Sequence, residues 1–372
     1  MEVYVGFIVF LLIEYIVIMK FNFRCKLSSS KSNTLLSKED KKNRFLFISC
    51  IELIMLAGLR GYTIGADIEN YLGAIEYYRR LPMQSVLLAK LVYPFDYEIG
   101  YFLLVKMCAF LRMNKTAFLF VVAVITYVPV FKFIKKKSTM PFLSVFSYFA
   151  LGTFSYSLGL FRQMIAISII ISGIKYIEEQ KLGKYILVVI LAMLFHTTAI
   201  IMLPFYWIKS LDFKKLLVWV IWFEGVGLVF GKTLIKLIVY IFPKYSNYID
   251  SIYGASGGGL FNLVFLNAVM FIGLIFTRYN PQRAKKNTLF LSAIAIAICF
   301  QVLGYHLEIF GRIVSYYSIY LIIIIPEMLN SLLKGRSRYI GICCVTFFMC
   351  IRFCMTFIGN TYVCPYYFFW QK

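Results

Sequence analysis

Acidic side chains are scarce in this sequence. Aspartate and glutamate number 17 in 372 residues against 39 lysines and arginines, histidine occurs twice, and the formal net charge is +22. In a soluble protein such an excess would suit nucleic acid. Here the cations stand in short loops between apolar runs, so the positive-inside bias and contact with anionic membrane lipids account for them, and no nucleic-acid partner is expected. No CxxC pair and no Cys/His cluster at zinc spacing occurs; Cys50, Cys108, Cys299, Cys343, Cys344, Cys350 and Cys354 lie within apolar runs and read as small core hydrophobes, so no metal is expected. A phosphate-binding glycine loop, the dinucleotide glycine fingerprint, a Ser/His/Asp order and HExxH are also missing, which leaves soluble nucleotide chemistry unsupported and no cofactor implied. There is no internal repeat of roughly 20–50 residues. A cleavable signal peptide is not expected either, because the first apolar run has no basic leader and no small-residue cleavage site.

What is abundant is apolar surface. The chain is 61% hydrophobic and 19% aromatic, with a mean hydropathy of +0.79. A soluble fold of this length could not bury so much, and the alternating polarity of a membrane barrel is absent. The expected class is an all-α polytopic membrane protein, a single integral membrane domain over residues 1–372. Apolar runs such as Val3–Met19, Phe45–Leu59, Thr116–Ile134, Pro141–Tyr156, Phe161–Ile177, Tyr185–Leu203, Leu263–Thr277 and Tyr339–Ile358 lead to an expectation of roughly 11–13 spans, several short or broken. The basic segment 20–44 reads as a cytoplasmic loop, which puts the N-terminus and the segment 60–97 on the extracytoplasmic side. The turn Gly304–Arg312 and the C-terminal tail fall on that side too, whereas the parity of the middle spans, and with it the side of Arg162, stays open.

Segment 60–98 is anomalously polar for such a chain. It holds Asp67, Glu69, Glu76, Asp96 and Glu98, and after Asp67 the residues Ile68, Tyr71, Leu72, Ile75 and Tyr78 recur at helical spacing. That spacing predicts an amphipathic helix lying on the membrane, stopped by Pro82, and the run Ser85–Val92 is too short to span. Arg60 and Asp67 admit two readings: a headgroup anchor and a helix N-cap, or an anion clamp beside a carboxylate. Glu98 opens the next helix as either a cap or a catalytic group. Arg162 and Gln163 follow a Gly-containing break in L-G-L-F-R-Q-M; an arginine there needs a partner, either a ligand phosphate or an intramembrane acid such as Glu14, Glu52 or Glu224. His196, placed within an apolar helix, reads as a packed core residue or a functional group. The turn from His306 to Arg312 brings acid and base together at the far end of a span. Several arginines and a few acids around a membrane-level cavity suit a lipid-linked diphosphate, with arginines neutralising the leaving diphosphate and a carboxylate or histidine taking a proton.

The ordered set L-R-G-Y-T-I-G-A-D-I-E-N-Y, Y-E-I-G-Y, F-R-Q-M-I-A, A-M-L-F-H-T-T-A-I and a terminal P-Y-Y resembles the EpsG family of Wzy-type polysaccharide polymerases over most of the chain. Ala66 departs from the pattern where a hydroxyl residue is expected. The resemblance implies a bacterial plasma-membrane glycosyltransferase, GT-C-like in architecture, that joins undecaprenyl-diphosphate-linked oligosaccharide repeat units on the outer face during exopolysaccharide, capsule or O-antigen synthesis. It points to Arg60, Asp67, Tyr71, Glu98, Arg162, Gln163 and His196; the expected roles are catalytic base for Asp67, Glu98 or His196, and substrate binding for Tyr71, Gln163, Arg162 and Arg60, with Arg312 added as a weaker third arginine. The implied partners are the polyprenyl-diphosphate-linked oligosaccharide, membrane lipids, a chain-length regulator and other polysaccharide assembly proteins. A flippase or transporter for the same glycan and a membrane O-acetyltransferase are the alternatives; the first would favour internal repeats, the second a group reachable from a cytoplasmic acyl donor.

Overall fold

The computed structural model describes residues 1–20, 37–81, 97–208, 212–241, 259–358 and 360–371. Pro82, the run Ser85–Val92, Asp96, most of the basic loop 20–44 and the loop 243–258 lie outside the described residues. Among the described residues the secondary structure is helical, with one isolated antiparallel bridge between Arg60 and Phe368. The chain forms two compact units, residues 1–200 with 345–372, and residues 201–344.

The first unit holds α1 (Glu2–Lys20), α2 (Lys38–Gly58), α3 (Ile68–Arg80), α4 (Ile99–Phe110), α5 (Lys115–Lys137), α6 (Pro141–Ala150), α7 (Thr153–Gly159), α8 (Phe161–Glu178) and α9 (Leu182–Met193). Local chemistry sets several starts. At α2 the Ser37 hydroxyl accepts the Asp40 amide at 3.1 Å while the Asp40 carboxylate accepts the Ser37 amide at 3.2 Å, a reciprocal capping box. Asn114 accepts the Ala117 amide at 2.8 Å and opens α5. Pro141 occupies the first turn of α6, where its missing N–H costs nothing. Gly152, at φ +90°, then breaks the chain between α6 and α7, and Leu160 breaks it again before α8. In the packed unit α5 lies against α2 and α8, α1 against α2 and α6, α3 against α4, and α9 against α8.

The C-terminal tail folds back over the Arg60 loop. Gly61 N donates to the Tyr367 carbonyl at 2.8 Å, Gly65 N to Tyr362 at 2.7 Å and Phe369 N to Leu59 at 2.9 Å. The Tyr366 hydroxyl reaches the Leu56 carbonyl at 2.7 Å and that of Tyr4 the Val363 carbonyl at 2.9 Å. The other side of the loop meets the α7–α8 break: Gly65 has φ +124°, and a side chain there would collide with the Leu158 carbonyl. Only glycine allows both the backbone conformation and the approach.

The second unit contains α10 (Phe205–Ile208), α11 (Phe213–Ile241), α12 (Leu260–Tyr279), α13 (Pro281–Lys286), α14 (Thr288–His306), α15 (Phe310–Ser318) and α16 (Leu321–Leu332); α17 (Gly335–Phe357) contributes residues to both units. Helix α14 is central and packs against α11, α12 and α15. The rings of Phe205 and Phe290 stack on Tyr320 at 5.7 and 5.4 Å. Glu224 is satisfied within this unit by the Asn267 amide at 2.7 Å.

Six described helices are long and apolar enough to cross a membrane, α1, α5, α11, α12, α14 and α17, or seven if α15 and α16, bent by 45°, make one span. This is a multi-pass membrane protein, and among the described residues fewer helices qualify as full spans than the apolar runs suggest. For α4, α6 and α9 the cause is length, 12, 10 and 12 residues against the ~20 needed to cross hydrocarbon; α2 and α8 are longer but carry charged residues, among them Lys41, Arg44 and Glu52 in the first and Arg162, Lys175 and Glu178 in the second. The amphipathic helix is present as α3, yet its apolar face is covered by protein. Tyr71, Ile75 and Tyr78 are 3%, 1% and 2% exposed, in a core with Tyr101, Phe102, Phe118 and Phe161.

The close approach at Gly65 makes a direct test. Gly65→Ala is expected to lower the unfolding free energy by about 1–3 kcal/mol, the usual cost of a side chain in that region of backbone space. Gly183→Ala, at a site with nothing within 4 Å, should leave thermal unfolding of the detergent-solubilised protein unchanged or slightly raised. Equal effects from the two would remove the steric account of the loop.

Candidate functional site

The polar centre of the first unit is built on Glu98. This residue is the N-cap of α4 but makes no side-chain cap bond. Its carboxylate turns instead to two other segments: Oε2 accepts from Arg162 Nη1 at 2.6 Å, and Oε1 meets His196 Nδ1 and the Thr197 backbone amide, both at 3.1 Å. The three side chains are largely enclosed, with 13% of Glu98, 25% of Arg162 and 17% of His196 exposed. Backbone contact sets this meeting. Gly100 N donates to the Leu194 carbonyl at 2.7 Å, and a side chain on Gly100 would strike that same carbonyl at 2.7 Å. The start of α4 is thereby fastened to the turn carrying His196.

Arg162 is the second residue of α8, a position where the helix dipole disfavours a cation. Glu98 offsets that penalty, so the partner of Arg162 is Glu98 rather than Glu14, Glu52 or Glu224. The guanidinium also lies over the Tyr97 ring, 5.1 Å from its centroid, and interacts with the Tyr71 hydroxyl. Tyr71 stacks on Phe161 at 4.7 Å and Tyr97 donates to the Asn70 carbonyl at 3.1 Å. Arg162 is thus gripped by a carboxylate and two aromatic side chains at the N-terminus of α8.

The carboxyl of Glu98 is pulled in both directions. Burial raises its pKa, but the His196 hydrogen bond, the Arg162 charge and the backbone donors outweigh burial and hold it down at about 2, from an ordinary 4.5. It is therefore a carboxylate across the physiological range and too weak a base to take a proton. What it does well is fix its partners. With Nδ1–H of His196 directed at Glu98, Nε2 carries the lone pair.

The remaining expected residues divide. His196 is not inside a helix: α9 ends at Met193, and His196 sits in the turn before a 3₁₀ segment, Thr197–Met202. Asp67 stands at the N-cap of α3 without a cap hydrogen bond and acts electrostatically on Tyr97. Gln163 is 3% exposed beside Arg162. Arg60 is 2% exposed, and its guanidinium donates to the carbonyls of Ile64 and Leu158, each at 3.0 Å, and to that of Ala57. Three of its N–H groups go to backbone carbonyls, and its guanidinium lies over Phe161 at 5.2 Å. Arg312 belongs to α15 of the second unit, and nearby His306 bonds the Gly227 carbonyl at 2.9 Å through Nε2. Sequence reasoning missed the joint between Glu98 and the His196–Thr197 turn. Its one local trace is Gly100, inside Y-E-I-G-Y.

The sequence pattern that defines the EpsG family matches residues 43–369. The chain belongs to the EpsG family. No curated protein and no solved structure matches it.

The Glu98 network gives a signed pH dependence. Because its pKa is depressed on folding, its stabilisation is complete above about 4.5 and is lost as pH falls towards about 2. At about 1.36 kcal/mol per unit this is roughly 3 kcal/mol. Acid unfolding of the wild type in that window should therefore be steeper than that of Glu98→Gln, read as the pH dependence of unfolding in one detergent. Superimposable curves would show that the carboxylate is not held as described.

Proposed function

We propose that this EpsG-family protein is a membrane polysaccharide polymerase that joins polyprenyl-diphosphate-linked oligosaccharide repeat units by glycosyl transfer on the outer face of the plasma membrane. The observation that carries the reading is the Arg162–Glu98–His196 constellation, with Asp67 and a tyrosine wall beside it, in a multi-pass membrane protein of this family.

The chemistry follows from charge. A hydroxyl of the acceptor glycan attacks the anomeric carbon of the donor sugar. The new C–O bond forms as the bond to the lipid diphosphate breaks, and the diphosphate leaves with the electron pair. Arg162, in the first turn of α8, is suited to that leaving anion because a guanidinium and a helix N-terminus both attract phosphate oxygens. The hydroxyl proton passes to His196 Nε2, with Glu98 holding Nδ1 and stabilising the imidazolium that forms. Asp67, with no cap bond to satisfy it, is the second candidate base. Tyr71 and Gln163 complete the substrate wall around Arg162 in this proposal. Arg60 takes a different part: by gathering three carbonyls it shapes the loop that carries Asp67.

The test is complementation of a strain lacking the gene, with lipid-linked glycan and polymer analysed separately and protein level followed by immunoblot. Arg162→Ala and His196→Ala should each cut polymer formation by roughly 10²-fold or more, the scale of removing one charge-stabilising or proton-accepting group. Single repeat units should then accumulate on the outer face. Units trapped inside would instead indicate a flippase, full-length but unmodified polymer a modifying enzyme. Normal polymer from both variants would end the site assignment.

A further inference from the structure

A second group of acids lies in the first unit and takes no part in the Glu98 network. Glu14 is on α1 and Glu52 on α2, two helices that pack together. Glu14 is 9% exposed, and lies about 9 Å from the Lys20 end of its helix at 1.5 Å per residue. The Ser49 hydroxyl, one turn before Glu52, donates to Glu14 Oε2 at 3.3 Å and also to the Phe45 carbonyl at 2.9 Å. The two carboxyls interact with each other, and no cation takes part. Glu14 Oε1 and both oxygens of Glu52 are buried without a hydrogen-bond partner.

The cations on the packed elements are engaged or exposed elsewhere. Lys41 donates to the Met19 carbonyl at 3.1 Å and Lys42 pairs with Glu39 at 3.9 Å. On α5, Lys115 pairs with Glu76 at 2.9 Å and Lys137 with Glu178. Lys20, Lys38, Arg44, Lys132, Lys135 and Lys136 are exposed, and α6 carries no charged residue. The remaining acids of α1 and α2, namely Glu2, Glu39 and Asp40, are exposed as well.

Two facing carboxylates are both acceptors, so neither can satisfy the other. Two negative charges side by side in an apolar helix pair are also costly. One proton resolves both difficulties: it supplies the missing donor and removes one charge. We propose that Glu14 and Glu52 form a proton-binding site, in which a single proton is shared between the two carboxyls and holds α1 to α2. The ligand is a proton, taken from water and returned to it, with no covalent chemistry. The site needs neither the glycan chemistry nor the family assignment.

Infrared titration of the full-length protein in detergent micelles tests this, with Glu14→Gln, Glu52→Gln and the double variant for comparison. The wild type should show one protonated-carboxyl C=O band at neutral pH that disappears on alkalinisation, together with a fall in thermal stability. Glu52→Gln replaces the shared proton by a permanent amide donor, so it should lose the band yet keep its stability at alkaline pH. If that variant fails to fold, wild-type protein in native membranes suffices. Dicyclohexylcarbodiimide, an apolar reagent for protonated carboxyls, should then label a peptide containing Glu14 or Glu52 at neutral pH and fail to label it at alkaline pH. Absence of the band from the wild type at neutral pH, its survival in the double variant, or carbodiimide labelling that ignores pH would overturn the proposal. Loss of the band on replacing choline chloride with sodium chloride would overturn it too, in favour of a bound cation.

Discussion

A carboxylate enclosed by protein must be matched by donors, and at Glu98 three donor groups come from two places in the chain. Arg162 reaches it from the first turn of α8, His196 and the Thr197 amide from the turn after α9. None of those groups is well placed without it. Arg162 sits where the helix dipole repels it, and His196 has left its helix. Glu98 therefore fastens the start of α4 to two helix boundaries, and the close backbone contact at Gly100 sets the distance at which it can do so. The arrangement sets a guanidinium at a helix N-terminus, with one carboxylate to hold it and an imidazole beside it. In the proposed function the guanidinium and the helix N-terminus are the groups that would receive the leaving diphosphate.

A second arginine shows the opposite use of the same side chain. Arg60 is as prominent in the sequence as Arg162, but its neighbours are carbonyls rather than a carboxylate. The chain turns so tightly between Ala57 and Ile64 that their carbonyls converge on one guanidinium, and Leu158 adds another from the α7–α8 break. The tail from Tyr362 to Phe369 closes the same loop through backbone bonds to Leu59, Gly61 and Gly65. An arginine bonded to three carbonyls from two segments works as a joint. Arg162 differs because a carboxylate and aromatic faces grip it while a quarter of its side chain stays exposed.

The sequence was read correctly where periodicity and solvation carry the signal. The apolar runs announced a helical membrane protein, and the spacing of Ile68, Tyr71, Ile75 and Tyr78 announced α3. It misled where a run's length was mistaken for a span. Gly152 divides the run Pro141–Tyr156 between α6 and α7, and hydropathy does not register a change of backbone direction. The covering of α3 by protein was equally invisible, since an apolar face looks alike whether lipid or a tyrosine-rich core meets it. Site residues were nameable one at a time, but Glu98 and His196 stand 98 positions apart. Partner choice over such a distance follows from the fold, and so Glu14, Glu52 and Glu224 were equal candidates for Arg162 until Glu98 was seen to occupy it.

The scarcity of acids gives these partnerships their consequence. In a chain with 39 lysines and arginines and 17 acids, most cations can have no protein counter-charge, and lipid headgroups or water must serve them. An acid placed inside the protein is then a deliberate expense, because it is withdrawn from a small supply and from water at once. The chain spends its enclosed acids in distinct ways. Glu98 is matched by a guanidinium and an imidazole, Glu224 by the Asn267 amide, and Glu327 by Arg283 at 3.9 Å with Ser331 at 3.3 Å. Glu14 and Glu52 are matched only by each other and a serine. Burial forces every enclosed carboxylate to find a positive partner, a neutral donor or a proton. The first outcome yields a fixed charge fit to organise an anion site, the second a neutral brace, and the third a contact whose strength depends on whether the proton is there.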